Sequence, residues 1–193
     1  MCQLQNSVLD ACVLAGSIRR RMVSVFAHTG LFHPVWSDRI LRETRRAIPK
    51  TLGHSSLSPA EYAHHADEIV GTLTALFPNA CRPFESGLSA VPEMKDPDDR
   101  HVVALAIASQ SPIIVTENLK DFPARLLSPL GVRAVSTDVF LSELAQSNPV
   151  HAGKALRLMQ SLIGLPQVTE QAILDRLKQL GLRRTAKALS SKT

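Results

Sequence analysis

Hydrophobic positions in this chain fall into short continuous runs and helical stripes that take turns along the sequence. Ser7-Val8-Leu9 has the pattern of a short buried strand and stops at Asp10. Residues 16–28 carry helical spacing, with Gly30 placed as a stop. Residues 34–36 are apolar, and Ser37 is a good N-cap for a helix to about residue 47. Ser58-Pro59 fits an N-cap and first-turn pair opening a helix to about 77. A strand is expected over 79–84 and a loop over 85–94. Asp96-Pro97 opens the helix that carries the apolar run 102–108, and the strand 113–116 follows. A further strand is expected over 131–136 and a helix over 138–145. Asn148-Pro149 then opens a helix that Gly164 closes. Thr169 caps another, with Val168 and Ile173 spaced as a hydrophobic staple, and Gly181 ends it. The tail 182–189 is basic and helical in pattern. Strands that alternate with helices predict an α/β fold, its sheet mostly parallel with helices on both faces.

Composition narrows the class. A hydrophobic content of 45% over 193 residues suits a folded core, not a disordered chain. No apolar run approaches bilayer length, and the N-terminus lacks the pattern of a signal peptide, so a cytoplasmic protein is the expectation. Cys2, Cys12 and Cys81 are odd in number and lack metal-type spacing, which argues against a disulfide framework or a zinc site. His64 and His65 are adjacent on a helix and point to different faces, so they form no metal pair.

Charge adds a contradiction. The net charge of +5 suits a polyanionic partner. Arg19, Arg20 and Arg21 are consecutive, and Arg39, Arg42, Arg45 and Arg46 cluster on one helix. Acids gather instead at 93–99 and 117–121. Bare carboxylates repel phosphate, and bound cations would resolve the conflict.

The acids fall at element ends. Asp10 ends the first strand, where it reads equally as an ordinary N-cap. Glu43 shares a helical face with Ile40 and Ala47, so it must pair with a nearby arginine or coordinate something. Asp96 caps its helix. Asp98 and Asp99 take the second and third positions, and Asp99 aligns with the inward face of Val102, Val103 and Ala106. Thr116 ends the strand 113–116, and Asn118 and Asp121 follow it, at the carboxyl end that should open on the ligand crevice. Oxygen donors without His or Cys favour Mg²⁺ or Mn²⁺.

The segments VLDACVL, ILRETRR, DPDDRHVVALAIA and IVTENLKDFP, in this order, resemble the PIN-domain superfamily, in particular its bacterial VapC-like toxin ribonucleases. The resemblance covers residues 8–140. It implies a three-layer α/β/α PIN-like domain over 1–147 with a mostly parallel central sheet, and a C-terminal helical extension over 148–193 packed on or near it. It also implies Mg²⁺- or Mn²⁺-dependent hydrolysis of RNA, with Asp10, Glu43, Asp99 and Asp121 as catalytic metal ligands. Thr116 is the hydroxyl after the strand, and Asn118 stands where many relatives carry Asp. Arg19, Arg20, Arg42 and Arg46 are the candidates for RNA contacts. An RNA substrate and a cognate antitoxin protein are the implied partners, with a homodimer left open and no membrane contact. An aspartyl phosphatase would need a second acid where Cys12 stands, and a receiver domain would need an acid pair that is absent. A non-catalytic PIN-like RNA-binding module, its site impaired by Asn118, is the alternative.

Overall fold

A computed structural model describes residues 4–51, 58–162 and 168–190. Four short strands form the sheet: β1 (Asn6–Leu9), β2 (His33–Val35), β3 (Ile113–Val115) and β4 (Arg133–Val135). They run in the order β2-β1-β3-β4, and every pairing is parallel. β1 sits between β2 and β3, with Ser7 opposite Pro34 on one side and Ile113 on the other. Val8, Ile114 and Val115 are fully buried, as expected of central parallel strands covered on both faces.

Among the described residues ten α-helices surround the sheet: α1 (Ala11–Ala15), α2 (Ser17–His28), α3 (Asp38–Thr51), α4 (Pro59–Leu76), α5 (Arg100–Ala108), α6 (Ala124–Leu127), α7 (Thr137–Ser147), α8 (Pro149–Leu162), α9 (Glu170–Gln179) and α10 (Arg183–Ser190). The expected caps form where their chemistry placed them. Ser58 and Glu61 make a reciprocal capping box on α4, and Thr169 accepts from Ala172 N on α9. Gly181 ends α9 with φ 88°, a left-handed conformation that glycine adopts at little cost. No helix among the described residues is long and apolar enough to cross a membrane.

The C-terminal helices do not form a separate body. Leu156, Leu174, Leu177, Ala186 and Leu189 join the same buried cluster as Val8, Phe26 and Phe140. α10 is fixed by its start. Asp138, in the first turn of α7, accepts from Arg184 N at 3.0 Å and Thr185 N at 2.8 Å, and the Thr185 hydroxyl donates to it at 2.8 Å.

Four expectations change. The strand over 79–84 shrinks to one bridge, Trp36 to Cys81, because Pro78 and Pro83 deny that stretch a continuous ladder. β2 takes the outer place in the sheet instead. The helix expected from residue 16 is preceded by α1, and Gly16 between them is extended at φ −71°, ψ 117°. Asp98 and Asp99 lie in a 3-10 turn (Pro97–Asp99) ahead of α5, since Asp96 accepts from Asp98 N and tightens the chain there. Within the expected loop 85–94, Glu85–Ala90 forms a 3-10 helix against α5. Gly164, the expected stop of α8, lies outside the described residues.

Candidate active site

Because all four strands are parallel, their carboxyl ends open on one edge, where ligands bind in open α/β sheets. Asp10 follows β1 directly and Thr116 follows β3 directly, so the two meet at the middle of that edge. Asp10 is only 8% exposed. One of its oxygens caps α1, accepting from Ala11 N at 2.6 Å. The other accepts from the Thr116 hydroxyl at 2.6 Å and the Cys12 thiol at 3.1 Å. Thr116 Oγ1 accepts in turn from Asn118 N at 3.0 Å. Burial, and then the charge of Asp10, push the Cys12 thiol up to about 12, so it stays protonated and serves as a donor.

Asp99 enters from the turn before α5. Burial, followed by the charges of Asp10, Asp96 and Asp121, raises its carboxyl to about 6. Its Oδ2 is buried and has no hydrogen-bond partner. Asp121 ends a 3-10 turn after β3 and accepts from the Asn118 side-chain amide. The charges of Asp10 and Asp121 therefore both reach Asp99, which sequence spacing alone did not establish.

Glu43 is placed differently. Its Oε1 accepts from Arg39 Nε at 3.0 Å and lies 3.2 Å from His101 Nε2. Burial would raise its pKa, but His101 and Arg39 more than offset that and hold it below the usual carboxylate range. The arginine pair open to Glu43 is thus formed. His101 acts on Asp99 as well, lowering its carboxyl against the neighbouring acids.

His101 was not legible as a site residue. It is 2% exposed, packs edge-on to Phe84 at 5.7 Å, and its Nδ1 lacks a partner. An isolated His opening an apolar helix reads as core, and its Glu43 partner is remote in sequence. His101→Ala should cost about 2 kcal/mol, because it leaves a cavity and removes a donor from a half-buried carboxylate. His101→Gln, which can still donate, should recover part of that loss. Denaturant melts of the two variants check this, and equal midpoints for both would show that the donor contributes nothing.

The arginines divide by occupation. Arg42 and Arg46 are exposed and line a cleft of about 340 Å³ with Arg39, Glu43 and Asp98. Arg45 is paired with Asp67 on α4. Arg19 pairs with Glu117 at 3.3 Å, and Arg20 donates to the carbonyls of Leu14 and Ala15 at 2.8 and 3.1 Å, closing the end of α1. Arg21 is the exposed member of that triplet. A larger cleft, about 740 Å³, opens at the amino edge beside Asn6, His33 and Arg82 and has no carboxylate in its lining.

Among the described residues no three His, Cys, Asp or Glu side chains converge into a ready-made metal cage. The acids nonetheless fit a hard cation. A buried, unpartnered carboxylate oxygen among like charges is what a bound divalent ion relieves.

The PIN domain family model matches residues 6–120, more than half of the chain. The chain belongs to the PIN domain family. The PIN match takes in Asp10, Glu43, Asp99, Thr116 and Asn118, stops one residue short of Asp121, and leaves β4 and helices α6 to α10 outside it. The chain is also similar to "Putative ribonuclease VapC50" of Mycobacterium tuberculosis (strain H37Rv), 34% identical over 91 residues, which are 47% of this chain and 53% of that protein. It thus matches about half the length of that relative. No solved structure matches the chain.

Proposed function

We propose that this PIN-domain protein is a divalent-metal-dependent endoribonuclease, acting as the toxin of a toxin–antitoxin pair. The single observation that carries the reading is Asp99: an unpartnered buried oxygen on a carboxyl raised to about 6 by burial and by neighbouring acids. Similarity to a protein named as a ribonuclease supports RNA as the substrate. A cognate antitoxin is then the expected protein partner.

Asp10, Asp99 and Asp121 would hold Mg²⁺ or Mn²⁺, which when bound neutralises phosphate charge and lowers the pKa of water. The remaining work belongs to the chain. Ala11 N, Thr116 and Cys12 fix both oxygens of Asp10. Asn118 holds Asp121 in place. Glu43 would join the ligand set on giving up Arg39. Arg42 and Arg46 would grip the RNA backbone beside the cleft.

The non-catalytic alternative draws on the same residues, since Glu43 is already ion-paired and Asn118 brings no charge. Metal dependence separates the two readings. Cleavage of a mixed RNA pool should disappear in EDTA and return with Mn²⁺. Undiminished cleavage in EDTA removes the metal from the mechanism. RNA binding with no cleavage at any Mn²⁺ concentration leaves the binding module.

A further inference from the structure

The matched family region ends at residue 120, yet the chain folds three more helices onto the same core after residue 148. Strand order shows where they lead. Across the carboxyl edge, β2 leads into α3 with Arg42 and Arg46, β1 and β3 carry the acids, and β4 leads into α7. A continuous set of contacts runs from the acids to the β4 side. Thr116 holds Asp10, and the adjacent Glu117 accepts from Thr137 N at 3.1 Å at the start of α7. Asp138, the next residue, holds the start of α10 through Arg184 N and Thr185 N. The start of α10 is thereby fixed at the same edge as the acids.

Arg183, Arg184 and Lys187 on α10 are exposed. No acidic side chain among the described residues pairs with any of them. Unpaired cations on an edge otherwise rich in carboxylates are suited to phosphate. We infer that Arg183 and Arg184 hold the backbone of single-stranded RNA on the opposite side of the acidic cluster from Arg42 and Arg46. The C-terminal helices then complete the substrate surface. This rests on the ribonuclease reading and adds the residues that carry the strand past β4. A four-stranded sheet is about 14 Å wide, three gaps of ~4.8 Å, which a short single strand can cross. Duplex DNA fits less well. In a helix-turn-helix the start of the second helix enters the major groove, whereas here the N–H groups at that end of α10 are taken by Asp138.

The test is fluorescence anisotropy of a short labelled single-stranded RNA, in EDTA, over a series of KCl concentrations. Arg183→Ala/Arg184→Ala should weaken binding about tenfold and reduce the slope of log K against log salt by about 1.4, ~0.7 for each lost phosphate contact. Arg183→Gln/Arg184→Gln, which keeps most of each stem, should do the same and excludes a packing effect. Both pairs leave the backbone cap on Asp138 intact. Arg82→Ala, at the opposite edge, should bind like the unaltered chain. An unchanged salt slope in both double variants, while the unaltered chain binds and cleaves RNA, overturns the inference and leaves the ribonuclease reading standing. A loss confined to a duplex DNA probe overturns it as well. An unaltered chain that binds no RNA in EDTA overturns the inference alone, because the ribonuclease reading is tested by cleavage with Mn²⁺.

Discussion

Asp99→Asn is expected to give a protein that folds more tightly than the unaltered chain and, on the ribonuclease reading, has lost the cleavage of RNA. The stability gain follows from proton linkage. Asp99 has a carboxyl raised to about 6, above its value in an unfolded chain. Between about pH 4 and pH 6 the folded state therefore binds the extra proton, and stability falls as pH rises through that window. Above it the metal-free protein carries the full penalty, on the order of 1–2 kcal/mol once solvent around a half-buried carboxylate is allowed for. Asparagine removes the charge and the penalty together. In EDTA near pH 7.5, Asp99→Asn should melt roughly 3–6 °C higher than the unaltered chain, and the gap should close near pH 4. Mn²⁺ should reverse the order by stabilising only the chain that keeps the carboxylate. Cleavage should fall more than about 100-fold, because even a residue that merely supports a metal ligand is worth 10–100-fold. Melts at two pH values, with and without Mn²⁺, check the assignment. A lower melting point for Asp99→Asn in EDTA would mean that neighbouring acids do not load this carboxylate.

Gly87→Ala is expected to be the most damaging glycine-to-alanine change among the described residues. A Cβ at Gly87 would stand 2.0 Å from the Ala104 carbonyl oxygen and 2.8 Å from its carbon. Both are backbone atoms in the middle of α5, so no side chain can turn aside. The 3-10 helix Glu85–Ala90 would have to lift off α5, which is buried along most of its length. Overpacking of this kind costs about 3 kcal/mol or more, a fall of roughly 6–12 °C in Tm for a chain of this size. Activity should drop in the fraction that still folds, because Asp99 and His101 sit at the start of α5. A variant that melts within about 2 °C of the unaltered chain would show that the two helices separate freely.

Local chemistry accounts for what could be read in the sequence. Ser58, Asp96 and Thr169 cap helices because a short polar side chain before a proline or an apolar stripe has few other uses. β1 and β3 were visible as the short buried runs Ser7-Val8-Leu9 and Ile113-Ile114-Val115. β2 was not, because His33-Pro34-Val35 is three residues long with a proline in the middle. Its place at the edge of the described sheet, with pairing to β1 alone, makes that proline tolerable. At the site, spacing placed Asp10, Glu43, Asp99 and the Asn118/Asp121 pair at element ends or first turns, and only the family resemblance made ligands of them. Spacing left Glu43 open between two fates. The decisive neighbour, His101, comes from the far side of a 58-residue separation and has no signature of its own. Nor could sequence sort the arginine triplet: helix rotation gives Arg19 to Glu117 and Arg20 to the end of α1, and leaves Arg21 the most exposed.

The bond between Thr116 and Asp10 spans 106 residues. Ribosomes add about 5–20 residues per second, so roughly 5–20 s pass between the synthesis of those two positions. Through that interval the growing chain holds β1 without its central neighbour and Asp10 without the hydroxyl that fixes it. The proposed cutting centre comes together only when translation has passed Asp121. On the ribonuclease reading, a nascent chain shorter than this would carry no assembled centre.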